Sequence, residues 1–214
     1  MYFQKILKGI SADNDSAALH WLREGGIHCR WWTRVGSITA EEIRTKLNER
    51  NLYWHLNRYD LPDPTQGGEP FCDHTPFIST TAGAVERDVV SEVNWVYPPF
   101  MTALTFATRQ FSATGYVYYG YVITLGKKAI ELQHFAEEVR ELHIYTGYLP
   151  FHDEGEITAK IYLPSVCLER YEKFDPVQAL NDLSSGIFPT PVDVQWNPNY
   201  APPEQFSNVR GFVP

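Results

Sequence analysis

Three things are scarce in this 214-residue chain. Cysteine occurs only at Cys29, Cys72 and Cys167. An odd number at wide spacing excludes a disulfide framework and points to a reducing compartment. Basic residues are outnumbered, 18 Lys and Arg against 26 Asp and Glu, for a formal net charge of −8. That balance excludes a protein that holds nucleic acid by bulk electrostatics, though not one that makes a local contact with RNA or DNA. Long apolar runs are missing: nowhere do 18 apolar residues follow one another, so no membrane span is expected. Residues 1–19 carry Lys5, Lys8, Asp13 and Asp15 and hold no apolar stretch of signal-peptide length. The expectation is a cytoplasmic protein, acting where it is made or after delivery into a host, or a domain cut from a longer chain.

What is present is a globular composition, 43% hydrophobic and 21% charged, with 14% aromatic residues. Most of these rings are expected in the core, and a few are available to stack a planar ligand. Residues 16–23 have helical spacing, stopped by Gly25 and Gly26. Ile27 to Val35 is rich in aromatic and branched residues between glycines and predicts a strand. Ser37 or Thr39 can cap a helix running to Asn57, with Glu41 and Glu42 in its first turn and Ile43, Leu47 and Leu52 as its apolar stripe. Asp60 to Pro76 reads as loop. Strands are predicted over Phe77–Thr80, Gly115–Thr124 and Glu156–Leu163, and helices over residues 84–92 and 132–142. Met101–Thr108 is ambiguous. Seven prolines fall between Pro176 and Pro214. They divide the chain into a domain over residues 1–173 and an extended Pro-rich tail over 174–214, packed across the domain or engaged by a partner.

Three short segments carry chemistry. His28-Cys29-Arg30-Trp31 puts an arginine in an apolar stretch, with a second at Arg34. Phe77-Ile78-Ser79-Thr80-Thr81 is a strand ending in hydroxyls. Glu154-Gly155-Glu156-Ile157 places two carboxylates one residue apart at the start of a strand. Singly, each has a bland reading as a snorkelling arginine, a helix cap and a solvated loop.

In this order the three resemble the arginine, Ser-Thr-Ser and Glu-x-Glu signature of mono-ADP-ribosyltransferases, particularly the cholera and pertussis toxin branch. Phe77–Thr81 is similar to that branch's Phe-Val-Ser-Thr-Ser, departing in one apolar residue and the last hydroxyl residue. Arg30, followed by an aromatic residue and then Arg34, is somewhat similar to pierisin-like members. The separation between Ser79 and Glu156 is ordinary for the family, and the likeness covers about residues 27–170.

The resemblance implies an α+β fold with two packed antiparallel sheets forming an NAD cleft flanked by helices. It implies NAD as co-substrate and transfer of ADP-ribose to a macromolecule. Breaking the N-glycosidic bond of NAD releases neutral nicotinamide from an oxocarbenium-like ribosyl cation, so neither a strong acid nor a metal is needed. What is needed is a carboxylate at the ribose. The resemblance gives that role to Glu156, with Ser79 orienting it, Glu154 serving the acceptor, and Arg30 or Arg34 clamping the pyrophosphate through its two-pronged donor. Thr80 and Thr81 join Ser79 as candidate NAD contacts.

In the family, Glu-x-Glu accompanies guanidinium acceptors, so an arginine of a target protein is expected. A nucleic-acid base, or water in a plain NAD glycohydrolase, remains the alternative. The joint presence of Arg30, Ser79, Glu154 and Glu156 argues against a mere binding module. A toxin or effector of this kind, such as the toxin of a toxin–antitoxin pair, would have a neutralising partner, and the Pro-rich tail offers one place for it.

Overall fold

Gly115–Thr124, rich in Tyr and Val, forms strand β4 over the ten residues its composition predicts. It lies deep in a seven-stranded sheet of the computed structural model, which describes residues 2–82, 97–124, 136–138 and 156–205. The other strands are β1 (Tyr2–Ile10), β3 (Phe77–Ala82), β5 (Ala136–Glu138), β6 (Glu156–Lys160), β8 (Leu168–Phe174) and β9 (Asp193–Trp196). Their order is β5-β6-β3-β1-β4-β8-β9, and every pairing is antiparallel. A separate two-stranded ladder joins β2 (Ile27–His28) to β7 (Tyr162–Leu163). The α+β class with antiparallel sheets is as expected, but among the described residues the division is seven strands against two.

Alternation along the strands supplies two buried layers. On one side Ile6, Tyr118, Ile157 and Ala159 join Leu22, Trp31, Leu52 and Leu56 from the helical segments. On the other, Leu7, Val117 and Phe174 pack with Phe100, Ala103, Leu104 and Ala179. Helix α5 (Tyr97–Ala107) occupies the stretch whose sequence was ambiguous. It seats against β1 because Gly9 has no side chain: a Cβ there would lie 1.8 Å from the Ala103 carbonyl oxygen.

Five expectations are corrected. Glu156 to Leu163 is not one strand, because Ile161 at φ 62° breaks it into β6 and β7, which lie in different sheets. Ile27 to Val35 is not one strand, because after His28 the chain turns into helix α2 (Arg30–Val35). The Cys29 sulfur accepts the Trp32 N–H at the helix start, and Gly36 closes it in the left-handed conformation, φ 77°. The helix expected up to Asn57 is two, α3 (Ala40–Lys46) and α4 (Glu49–Asn57). Thr39 caps the first with a reciprocal Glu42 bond, and Asn48 interrupts the run to cap the second. Within the segment expected as helix over 132–142, residues 136–138 are β5, paired to β6; the remainder, and the helix expected over 84–92, lie outside the described residues. The stretch expected to run extended from Phe174 contributes α6 (Pro176–Ser184), capped by Asp175, and β9. Helix α1 (Asp15–His20) falls where expected and continues into a π-helical turn at Trp21–Gly25. Among the described residues no helix is long and apolar enough to cross a membrane.

Gly9→Ala is expected to destabilise the fold by about 3 kcal/mol, since the added methyl meets backbone that cannot yield like a side-chain tip. The urea unfolding midpoint reads this directly. An unchanged midpoint would mean that α5 is not seated on β1.

Candidate functional site

The site is laid out by the ladder between β3 and β6. Ser79 stands opposite Thr158, and Thr81 opposite Glu156. Directly opposed residues share a face, as do residues two apart on one strand. Ser79, Thr81 and the backbone position of Glu156 therefore lie on one face. Glu156 is described at its backbone, as the first residue of β6. Glu154 lies outside the described residues.

The three hydroxyls of the β3 triplet have separate partners. Thr80 is buried and donates to the Ile157 carbonyl across the ladder. Thr81 is buried and donates to the Pro99 carbonyl in the first turn of α5, at 3.0 Å. Both brace the strand. Ser79 is half-buried, and its Oγ lies 2.9 Å from Nε2 of His55.

Sequence reasoning passed over His55. It sits on the inner face of α4 with Asn51, Leu52 and Leu56, a lone titratable group on a buried stripe. Its Nδ1 meets the Thr75 hydroxyl at 2.8 Å, and that oxygen also accepts the Phe77 N–H. A neutral imidazole, one donor and one acceptor, is thus satisfied at both nitrogens. Burial, reinforced by the charge of Lys8, pushes its pKa down to about 3. The ring is a neutral spacer between α4 and β3 and fixes where the Ser79 oxygen lies.

Arg30 reaches the same region by a different route. Ile161 adopts φ 62°, an unfavourable left-handed conformation for a branched residue, and this ends β6. Its N–H bonds the Pro76 carbonyl at 2.8 Å, and its carbonyl accepts the Cys29 N–H at 2.8 Å. The Trp31 N–H reaches the Thr75 carbonyl at 3.3 Å. The start of α2 is thereby stitched to the residues just before β3. Tyr59 completes the connection. Its ring meets His55 edge-on at 5.5 Å, and the Arg30 charge acts on its phenol, opposing the upward shift that burial causes.

Arg30 and Arg34 share a face because they are four residues apart on a helix. Asp73 lies between them, 3.3 Å from Arg30 Nη1 and 3.8 Å from Arg34 Nη1. Arg34 is also held by Glu69 at 2.6 Å, and His74 shares that carboxylate. The two arginines are unequally engaged. Both terminal nitrogens of Arg34 face carboxylates, whereas Nε and Nη2 of Arg30 make no hydrogen bond among the described residues. Trp31 is buried in the core, and Trp32 packs half-exposed against His28 and Tyr162, so the two rings part as their adjacency requires. Among the described residues no three His, Cys, Asp or Glu side chains gather in a metal-binding group.

No family model matches the chain, and no curated protein matches it. Among solved structures it is similar to EcPltA, an ADP-ribosylating toxin, with 13% identity, coverage of 99% of this chain and 94% of that one, and a TM-score of 0.50. It is also similar to a point mutant of the heat-labile enterotoxin A subunit, with 14% identity, coverage of 97% and 82%, and a TM-score of 0.47. For a double mutant of the same enterotoxin the values are 16%, 96%, 67% and 0.41. The mixed fold of helices and antiparallel sheets resembles that of ADP-ribosylating toxins.

A pH test follows from His55. Its folded pKa, about 3, lies below its ordinary 6.5, so on acidification the unfolded chain takes up a proton that the native chain refuses. Between pH 6.5 and 3 this group alone is expected to remove stability by about 1.4 kcal/mol per pH unit, and above pH 6.5 to remove none. In His55→Gln this part of the acid sensitivity is expected to vanish, as read from unfolding midpoints of the two proteins from pH 7.5 to 4.5. Parallel pH curves would show that His55 is not a buried neutral ring.

Proposed function

We propose that the chain is an NAD-dependent mono-ADP-ribosyltransferase that cleaves the nicotinamide N-glycosidic bond and transfers ADP-ribose to a macromolecule. The observation that carries this reading is the β3–β6 register, which sets Ser79 and the Glu156 position on one face; the helix that carries Arg30, an arginine with uncommitted donors, is stitched to the residues just before β3. The toxin fold supports it.

The residues suit NAD. A pyrophosphate carries two negative charges and offers pairs of oxygens to a guanidinium fork. Arg30, with 63% of its side chain exposed and two nitrogens unengaged, is the clamp of this proposal. Arg34, held by Glu69 and Asp73, acts as a strut that keeps α2 against the Phe71–Asp73 turn. Glu156 holds the ribose 2′-hydroxyl and stabilises the positive charge that develops as neutral nicotinamide departs. Ser79, fixed by His55, orients that carboxylate. Glu154 pairs with the incoming acceptor, which as a carboxylate beside Glu156 suits an arginine of a target protein. The net charge of −8 favours a protein acceptor over a nucleic-acid base. A toxin or effector role, with a neutralising partner protein, belongs to the same proposal.

Incubation with phosphate-labelled NAD in a cell lysate, followed by separate protease and nuclease digestion, tests the acceptor. Protease-sensitive label is expected. Label lost only to nuclease would move the acceptor to RNA or DNA, and free ADP-ribose alone would leave a glycohydrolase. The clamp is tested by kinetics: Arg30→Ala is expected to lower kcat/KM for NAD by about 10² to 10³. Arg34→Ala is expected to lower thermal stability more than it alters KM. The reverse pattern would exchange the two roles.

A further inference from the structure

Among the described residues, no strand lies beyond the far end of the sheet. Strand β9 pairs with β8 on one side only, and it is the last strand in the order. The Asn197 N–H bonds the Glu169 carbonyl at 2.9 Å, which fixes the phase of the ladder. Residues 193, 195 and 197 direct their backbone groups to β8, and Val194 and Trp196 direct theirs outward. Among the described residues the outward groups of Val194 and the Trp196 N–H have no partner. The Trp196 carbonyl receives Arg23 at 3.4 Å, which leaves its second lone pair.

Such edges are ordinarily blunted by lysines, by proline on the outward positions or by a bulge. A bulge marks the entry to β9, where the Val192 N–H joins Asp193 in facing Lys173, at 2.8 Å from its carbonyl; from Asp193 to Asn197 the strand itself carries no lysine, proline or further bulge. Instead Val194 and Trp196 are exposed, Trp196 by 57%, and both lie on one face. Among the described residues, seven of the eleven exposed large hydrophobic residues fall between Val177 and Trp196, the stretch that leads into and forms this strand. Pro191 and Pro198 bracket the strand and limit any added pairing to six residues.

We infer that β9 pairs edge to edge with β9 of a second copy of this chain, forming a two-fold dimer with a continuous antiparallel sheet. The strand is self-complementary about Gln195. With Gln195 facing Gln195 of the partner subunit on the axis, Val194 falls opposite Trp196 of the partner subunit, and Trp196 opposite the partner's Val194. Each of these pairs unites two outward-directed residues, so each can exchange two backbone hydrogen bonds, four in all. The aromatic–β-branched pairs lie on the same face of the joined sheet, an arrangement that stabilises cross-strand contact. Asp193 falls opposite the amide of Asn197 of the partner subunit, so no like charges are opposed. A foreign strand would satisfy the same hydrogen bonds but would have no reason to match Val to Trp twice; a two-fold supplies that match automatically. Ile187, Phe188 and Val192, exposed in the residues leading into β9, add apolar area that so short a ladder lacks.

The experiment is light scattering on the purified full chain over about a hundredfold dilution, since dimer content follows concentration. Wild type is expected to pass from dimer to monomer. Val194→Pro removes only an outward N–H and leaves the β8 ladder intact, so it is expected to be monomeric, with the melting temperature that wild type shows at dilutions where it too is monomeric. A second variant is independent of that fold. Gln195→Cys places two thiols at a non-hydrogen-bonded pair, where Cα atoms about 4.5 Å apart suit a disulfide. It is expected to cross-link under mild oxidation at concentrations where wild type is dimeric. Monomeric wild type at every concentration, a dimer that survives Val194→Pro, or a dimer in which Gln195→Cys does not cross-link would each overturn the inference.

Discussion

The ladder between β3 and β6 is the constraint on which the rest of the molecule depends. Side chains alternate along a strand, so a shift of one residue would carry Ser79 to the opposite face from Glu156. The register is held by buried contacts and not by the site residues themselves. Ile78 and Ala159, and Thr80 and Ile157, meet across the ladder on the core side, and Thr80 donates to the Ile157 carbonyl. The residues with proposed chemistry therefore sit on one face of a strand pair whose other face is locked by packing. Ile161 extends the constraint. Its left-handed backbone ends β6 and ties the start of α2 to the residues before β3, bringing Arg30 to the same region.

A second layer of order comes from α4. A helix that buries Leu52 and Leu56 also buries His55, and the neutral ring spans from the Thr75 hydroxyl to the Ser79 hydroxyl. A fully desolvated imidazole that cannot charge is costly in acid but holds a constant hydrogen-bonding pattern at neutral pH. Preorganisation of this kind matters where a carboxylate must meet charge that exists only in the transition state. On the solvent side, Asp73 and Glu69 divide the arginines into one committed to structure and one with open donors.

Much of the scaffold was legible in the sequence, and the reasons for the rest are physical. The β4 run of Tyr and Val, the hydroxyl-ended β3 and the Thr39 cap with Glu42 each act through local chemistry that a sequence displays. Helix α2 was hidden because Arg30–Val35 carries strand-favouring Trp and Thr residues, while its start rests on a cysteine sulfur, an uncommon cap. The break at Asn48 was hidden inside a continuous apolar stripe. Strand β9 does alternate apolar and polar residues over 192–197, but the run is short, lies between prolines and turns its apolar set to solvent, so its existence depends on pairing with β8, a tertiary fact. His55 could have been noticed as the one titratable residue on a buried helix face. Its partners Thr75 and Ser79, 20 and 24 residues away, could not.

The central claim is that a carboxylate at position 156 on this fold cleaves NAD. The most direct measurement is release of nicotinamide from NAD by the purified protein, alone and with an arginine-rich acceptor, for wild type and for Glu156→Gln. The account predicts release by wild type, and in Glu156→Gln a loss of about 10² or more with the melting temperature unchanged. Equal release by the two proteins, or none by wild type with either acceptor, would contradict it.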